Sequence, residues 1–166
     1  MPIVDALLHE YDHELATTRR VLERVPEVEF GWKPHDRSMT LGQLATHVAS
    51  MPWWLTMALD AAFHDVAPGA RGSGLETARS RTALLEEFDA SVKKARASLA
   101  RATDAEMLAP WTLKFNGQEI FTMPRTTVVR SFVLNHLIHH RGQLSVYLRL
   151  KDVPVPAIYG PTADEQ

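Results

Sequence analysis

The side chains able to do chemistry are concentrated in "NHLIHHRGQL", residues 135–144, where His136, His139 and His140 crowd an otherwise apolar segment. Neutral imidazole is the commonest metal ligand among side chains. On a helix, residues i and i+4 lie one turn apart on the same face, so His136 and His140 can aim both rings at a single ion. With His136 as zero, Val129, Phe132, Val133, Gln143 and Tyr147 all fall within about 60° of it, so this face looks inward. Two ligands rarely hold an ion, so a third is expected from a facing helix. His47, in "LGQLATHVASM", is the best candidate, at the edge of an apolar stripe beside Met51 and Trp54. His139 is the rival for the helix-four position, as an i, i+3 partner of His136. Lone histidines hydrogen-bonded in a core are the bland alternative. Burying three imidazoles without a shared partner is costly, which favours the shared ion.

A second stretch, "HEYDH" at residues 9–13, matches the HExxH pattern of zinc proteases. Taking Val4 as zero, His9 and His13 fall at about 140° and 180°, opposite Leu7, Leu8, Tyr11 and Leu15. They share a polar face with Asp5, Arg20 and Arg24, so the motif is expected to face water. His35 lies in a loop and His64 near a helix end, and neither is held firmly.

Four amphipathic segments must position these residues. The first helix is expected over about 3–25, with Val4, Leu7, Leu8, Tyr11, Leu15 and Leu22 on its buried stripe. The second spans about 40–63, capped by Ser38 or Thr40 and kinked at Pro52. The third covers about 75–102, beyond a flexible connection "APGARGSG" at 67–74. Asn116-Gly117, inside "WTLKFNGQEIFTM", marks a β-hairpin turn. Pro124 then suits the first turn of a fourth helix reaching about residue 150. The expected architecture is all-α: an antiparallel four-helix bundle with a short β-hairpin between helices three and four, forming a single domain over 1–166. The hairpin is the only β element expected, and the tail "DVPVPAIYGPTADEQ" should lie over the surface.

Composition narrows the function classes. The 166 residues suit one domain, and 45% hydrophobic with 23% charged residues is ordinary for a globular protein. A net charge of −2 offers no basic field for nucleic acid. No apolar run is long enough for a membrane span, and the N-terminus meets acids too early for a secretory signal. The chain has no cysteine, which excludes disulfides, thiolate ligands and a cysteine nucleophile. A cytoplasmic protein is expected.

"SMTLGQLATHVA", "LNHLIHHRGQLSVYLRL" and "VPAIYGPTADE", with the "MPR" that opens helix four, resemble the DinB-like superfamily, which includes bacillithiol and mycothiol transferases. The likeness runs over essentially the whole chain. It implies a four-helix bundle, frequent homodimers, and a divalent ion, usually zinc or nickel, held by one histidine of helix two and two of helix four. Those positions are His47, His136 and His140. The activity favoured by the resemblance is thiol transfer from a low-molecular-weight thiol to an electrophilic small molecule. A hydrolase using metal-bound hydroxide and a non-catalytic metal- or ligand-binding stress protein are the alternatives.

Supporting residues are expected nearby. Gln43 and Gln143 can orient a ligand or remain surface glutamines. Trp53, Trp54 and Tyr147 can line a pocket, although core packing suits aromatics at helical spacing better. Arg141 lies off the site face and is expected to pair with an acid or a neighbouring subunit. No acid falls on the inward faces of helices two and four; Asp60 and Asp65 sit at the far end of helix two. Leu134, Leu137, Ile138 and Leu148 make the other side of helix four apolar too, to be covered by the hairpin, the tail or a second subunit. A homodimer is expected.

Overall fold

The computed structural model describes residues 2–66 and 76–166; the connection at 67–74 lies outside them. Helix α1, Ile3–Glu23, buries Val4, Leu7, Tyr11, Leu15 and Leu22 as its stripe requires. A single 3₁₀ turn, Glu27–Glu29, follows. It is held against the start of the next helix by the Gly42 amide, which donates to the Phe30 carbonyl at 3.0 Å. A Cβ at Gly42 would meet Phe30 Cβ at 3.0 Å, so glycine is what allows this approach.

Helix α2, Leu41–Asp60, starts at a capping box. Thr40 Oγ1 accepts from the Gln43 amide at 3.2 Å, while Gln43 Oε1 accepts from the Thr40 amide at 2.9 Å. The helix runs unbroken through Pro52. It ends three residues before the expected boundary, because Phe63–Val66 forms a strand, β1. Helix α3 is Arg81–Arg101, capped by Ser80. Residues 76–80 are not helical, so the helix begins later than residue 75. A short helix α4, Asp104–Leu108, precedes strands β2, Pro110–Phe115, and β3, Gln118–Pro124.

β2 and β3 pair antiparallel across Asn116-Gly117, both at positive φ (50° and 77°), with α4 intervening between α3 and this hairpin. It is not the only β element. β1 pairs parallel with β2 in a three-stranded sheet of order β1-β2-β3. Asp65 anchors that pairing, its carboxylate accepting from the Gly117 amide at 3.0 and 3.2 Å. A short strand abutting a helix end leaves little periodicity to read, and its partner is distant in sequence.

The last helical rod has three parts: α5, Arg125–Thr127; a π-helical segment, Val128–Leu134; and α6, Asn135–Leu150. Pro124 is the residue before the rod rather than within its first turn. Arg125 ties the rod to the end of α2, donating to Ala58 O at 2.8 Å and Ala61 O at 3.1 Å, and to Pro110 O at 3.1 Å. α1 packs on α3 and α6, and α2 packs on α3, α6 and the π-helical segment, around one hydrophobic core. The protein is thus mostly helical with a small three-stranded sheet. Leu134, Leu137 and Leu148 are buried within the single chain, with Ile138 half-buried, so the second apolar side of the rod is covered without another copy. No helix of the described residues is long and apolar enough to cross a membrane.

Candidate metal centre

α2 and α6 pack side by side and bring His47 opposite His136 and His140. The ring centroids lie 5.1 Å apart for His47–His136, 4.5 Å for His47–His140 and 4.7 Å for His136–His140. One ring nitrogen from each falls within 4.8 Å of the other two, and no other such group of His, Asp or Glu occurs among the described residues. Nε2 of His47 is 3.3 Å from Nε2 of His136. Two nitrogens about 2.0–2.1 Å from a tetrahedral zinc lie about 3.3–3.4 Å apart, so this pair already has the spacing a shared ion needs.

The environment keeps the three rings neutral, the form that ligates. Burial pushes the His47 pKa down to about 4, with the neighbouring His140 and His136 adding to the effect. Burial likewise lowers His136, while a hydrogen bond to the Phe132 backbone pulls the other way. His140 is lowered mainly by burial, and Gln143 opposes that shift. The donor set therefore fits a borderline divalent ion.

The other histidines do not join. His139 is exposed, and its Nε2 is 3.1 Å from the Gln143 side-chain nitrogen, so the i, i+3 alternative is not the arrangement adopted. His9 and His13 are exposed on α1, as the helical angles require. His64 sits on β1 against the rings of both Trp53 and Trp54, at 5.2 and 5.3 Å.

Supporting residues divide sharply. Gln143 reaches His140 Nδ1 at 2.7 Å. Gln43 does not approach the trio, because it is spent on the capping box at the N3 position of α2. Trp54 is a core residue, edge-on to Phe132 at 5.4 Å, and Phe132 in turn lies 6.0 Å from His136. Trp53 is half-buried beside it. Tyr147 lines an open cleft that has His140 among its walls.

Arg141 pairs with an acid, as expected, and the acid is Glu14 of α1 at 2.7 Å. Both are buried, Arg141 to 1% exposure. The guanidinium also donates to Glu14 O at 3.0 Å, Thr18 Oγ1 at 3.1 Å and Tyr159 Oη at 2.6 Å. This cluster fixes α6 against α1 immediately beside His140. Glu14 was legible only as a residue on the rim of the α1 stripe, about 80° from Val4.

The chain matches the DinB superfamily over residues 10–144. It is 25% identical to the uncharacterized protein YrdA of Bacillus subtilis (strain 168) over 163 residues, 98% of this chain and 91% of that protein. Its fold is similar to that of a DinB-like protein from Bacillus cereus ATCC 10987, with a TM-score of 0.72 at 18% identity, covering 93% of this chain and 97% of that one. The DinB-like protein YjoA of Bacillus subtilis is similar at a TM-score of 0.66 and 15% identity, covering 97% of this chain and 99% of that one. The superfamily match takes in all three converging histidines, and the chain belongs to the DinB superfamily.

Proposed function

We propose that this protein is a metal-dependent enzyme holding one divalent ion, zinc or nickel, on His47, His136 and His140, and joining a low-molecular-weight thiol to an electrophilic small molecule. The observation that carries the reading is the convergence of three ligand-capable nitrogens from two helices within 4.8 Å. In this reading the four long helices serve as an antiparallel bundle, the whole chain is one domain, and the protein works as a cytoplasmic homodimer. Three neutral imidazoles leave a divalent ion's charge uncompensated and a coordination position open, as reactive rather than structural sites do. Such an ion, when bound, supplies Lewis acidity that favours the anion of a thiol or water at neutral pH.

The chain's own residues supply neutrality, orientation and shelter. The three rings stay deprotonated through burial. Gln143 fixes the His140 ring, and the edge-on Trp54–Phe132 pair packs beside His136. The sulfur nucleophile must arrive on a cosubstrate, because the chain has no cysteine. In the transfer the thiol S–H proton passes to solvent, and a new S–C bond forms as the electrophile's leaving group departs.

Incubating the zinc- or nickel-loaded protein with 1-chloro-2,4-dinitrobenzene, with and without low-molecular-weight thiols, tests the reading. Thiol-dependent product above the uncatalysed background supports it. Turnover of an activated ester without thiol favours the hydrolase instead, and a stoichiometric ion with no turnover on either substrate favours a binding protein.

A further inference from the structure

A cleft of about 390 Å³ opens beside the histidine trio, with His140 common to both. Pro34, Met39, Leu44 and Tyr147 make its apolar walls, and Ser38 and Gln143 are its uncharged polar groups. Among the described residues, no acid, lysine or arginine lines it. The loop that carries Pro34, Ser38 and Met39 also carries Lys33, Asp36 and Arg37, yet none of these three contributes to the walls. Met39 keeps 42% of its surface exposed, an apolar side chain left uncovered at a cleft.

The walls are formed in advance. Tyr147 Oη donates to the Met39 carbonyl at 3.4 Å, and its ring meets the edge of Trp32 at 5.7 Å. The loop is pinned by Lys33 Nζ donating to Asp36 O at 2.9 Å and the Ser38 amide donating to His35 O at 2.9 Å. Concave, mostly apolar, preformed sites with a few polar groups are the usual form of small-molecule subsites. A charged group entering such walls would lose hydration without gaining an oppositely charged partner among the described lining residues.

We propose that this cleft is the subsite for an uncharged, mainly apolar arm of the substrate, with Met39 and Tyr147 as its specificity-determining side chains. The inference rests on the metal-centred reading above, since His140 is what joins cleft to ion. Methionine, unbranched and polarizable, lets the wall adapt to arms of differing shape.

The test uses the zinc-loaded full chain labelled with ¹³C at the methionine methyls, titrated with butanethiol, 3-mercaptopropionate and thiocholine. The thiol would bind an ion held by His47, His136 and His140, and the three tails differ in charge: none, negative and positive. Butanethiol is expected to bind about tenfold or more tighter than both charged thiols, because an apolar tail gains from burial and either charge loses. A tail effect of the same sign for both charges excludes a simple field from the ion. The Met39 methyl resonance should move with butanethiol while the buried Met51 and Met107 stay still. By calorimetry, Tyr147→Ala and Met39→Ala should each cut the butanethiol preference by about threefold or more, roughly one methylene of burial.

Zinc uptake and thiol binding with a silent Met39, or charged thiols within about threefold of butanethiol, overturns the cleft assignment alone. No zinc uptake, or uptake without any thiol binding, overturns the metal-centred reading beneath it.

Discussion

Gln143 holds His140 by its far nitrogen: the amide oxygen lies 2.7 Å from His140 Nδ1 and accepts its proton. That bond fixes the tautomer of His140, leaving the Nε2 lone pair free for the trio. The amide nitrogen of Gln143 donates to His139 Nε2 at 3.1 Å, so His139 acts as the outer support of the same bridge. Outer partners of this kind govern metal affinity. Gln143→Leu is expected to weaken zinc binding by about 10–100-fold, measured by competition with a chromogenic chelator. His139→Ala should weaken it far less. Unchanged affinity in Gln143→Leu would remove the bridge from the account.

An ion that binds only the folded chain stabilises it by mass action. Zinc at about 100 times its dissociation constant should add about 2.7 kcal/mol, read as a rise in melting temperature that a chelator reverses. His136→Ala and His140→Ala should lose that rise, and His9→Ala, on the exposed face of α1, should keep it in full. A zinc-dependent rise that His9→Ala abolishes would move the site to α1.

Arg141 and Glu14 are an ion pair buried between α6 and α1. Removing one partner strands the other charge out of water, so Arg141→Leu is expected to cost about 3–5 kcal/mol in urea denaturation. Replacing both, as Glu14→Met with Arg141→Leu, should recover much of it, because apolar pairs of similar volume often replace buried ions at little cost. A cost below about 1 kcal/mol for the single change, the range of exposed pairs, would contradict the burial.

Acid should destabilise the metal-free chain through the trio. His47 titrates near 4 in the folded state against 6.5 ordinarily. Above pH 6.5 neither state is protonated there. Between 6.5 and about 4 the unfolded chain takes up a proton that the folded chain refuses, so stability falls as pH falls. Below about 4 both states are protonated and the slope from this group ends. His136 and His140 act in the same direction. The arginine-paired carboxyls of Asp12 and Asp164 are held below their ordinary values, so their loss comes at lower pH than the histidine window. Urea midpoints should drop between pH 7 and 5, and His47→Ala should flatten that drop. An equal drop in His47→Ala would assign the acid sensitivity elsewhere.

The trio could be read from the sequence because helical geometry alone sets its facing. His136 and His140 repeat at one turn on an apolar face, and the outward turn of His9 and His13 follows from the same arithmetic. The capping role of Gln43 was also legible, since Thr40 and Gln43 stand at capping-box spacing; reading Gln43 as a support for His47 passed over it. What escaped depends on partners far along the chain. β1 exists because β2 offers it an edge, with Asp65 reaching Gly117 across 52 residues. Glu14 is buried because Arg141 meets it from 127 residues away. The π-helical segment at Val128–Leu134 shifts the hydrogen-bond ladder just ahead of His136, and no apolar period announces such a shift.

Anomalous diffraction at the zinc edge from crystals of the zinc-loaded, tag-free chain locates the ion. A single strong peak is expected about 2.0–2.1 Å from the ring nitrogens of His47, His136 and His140, through Nε2 of His140. A peak elsewhere, or no peak among these three rings at saturating zinc, would contradict the three-histidine site.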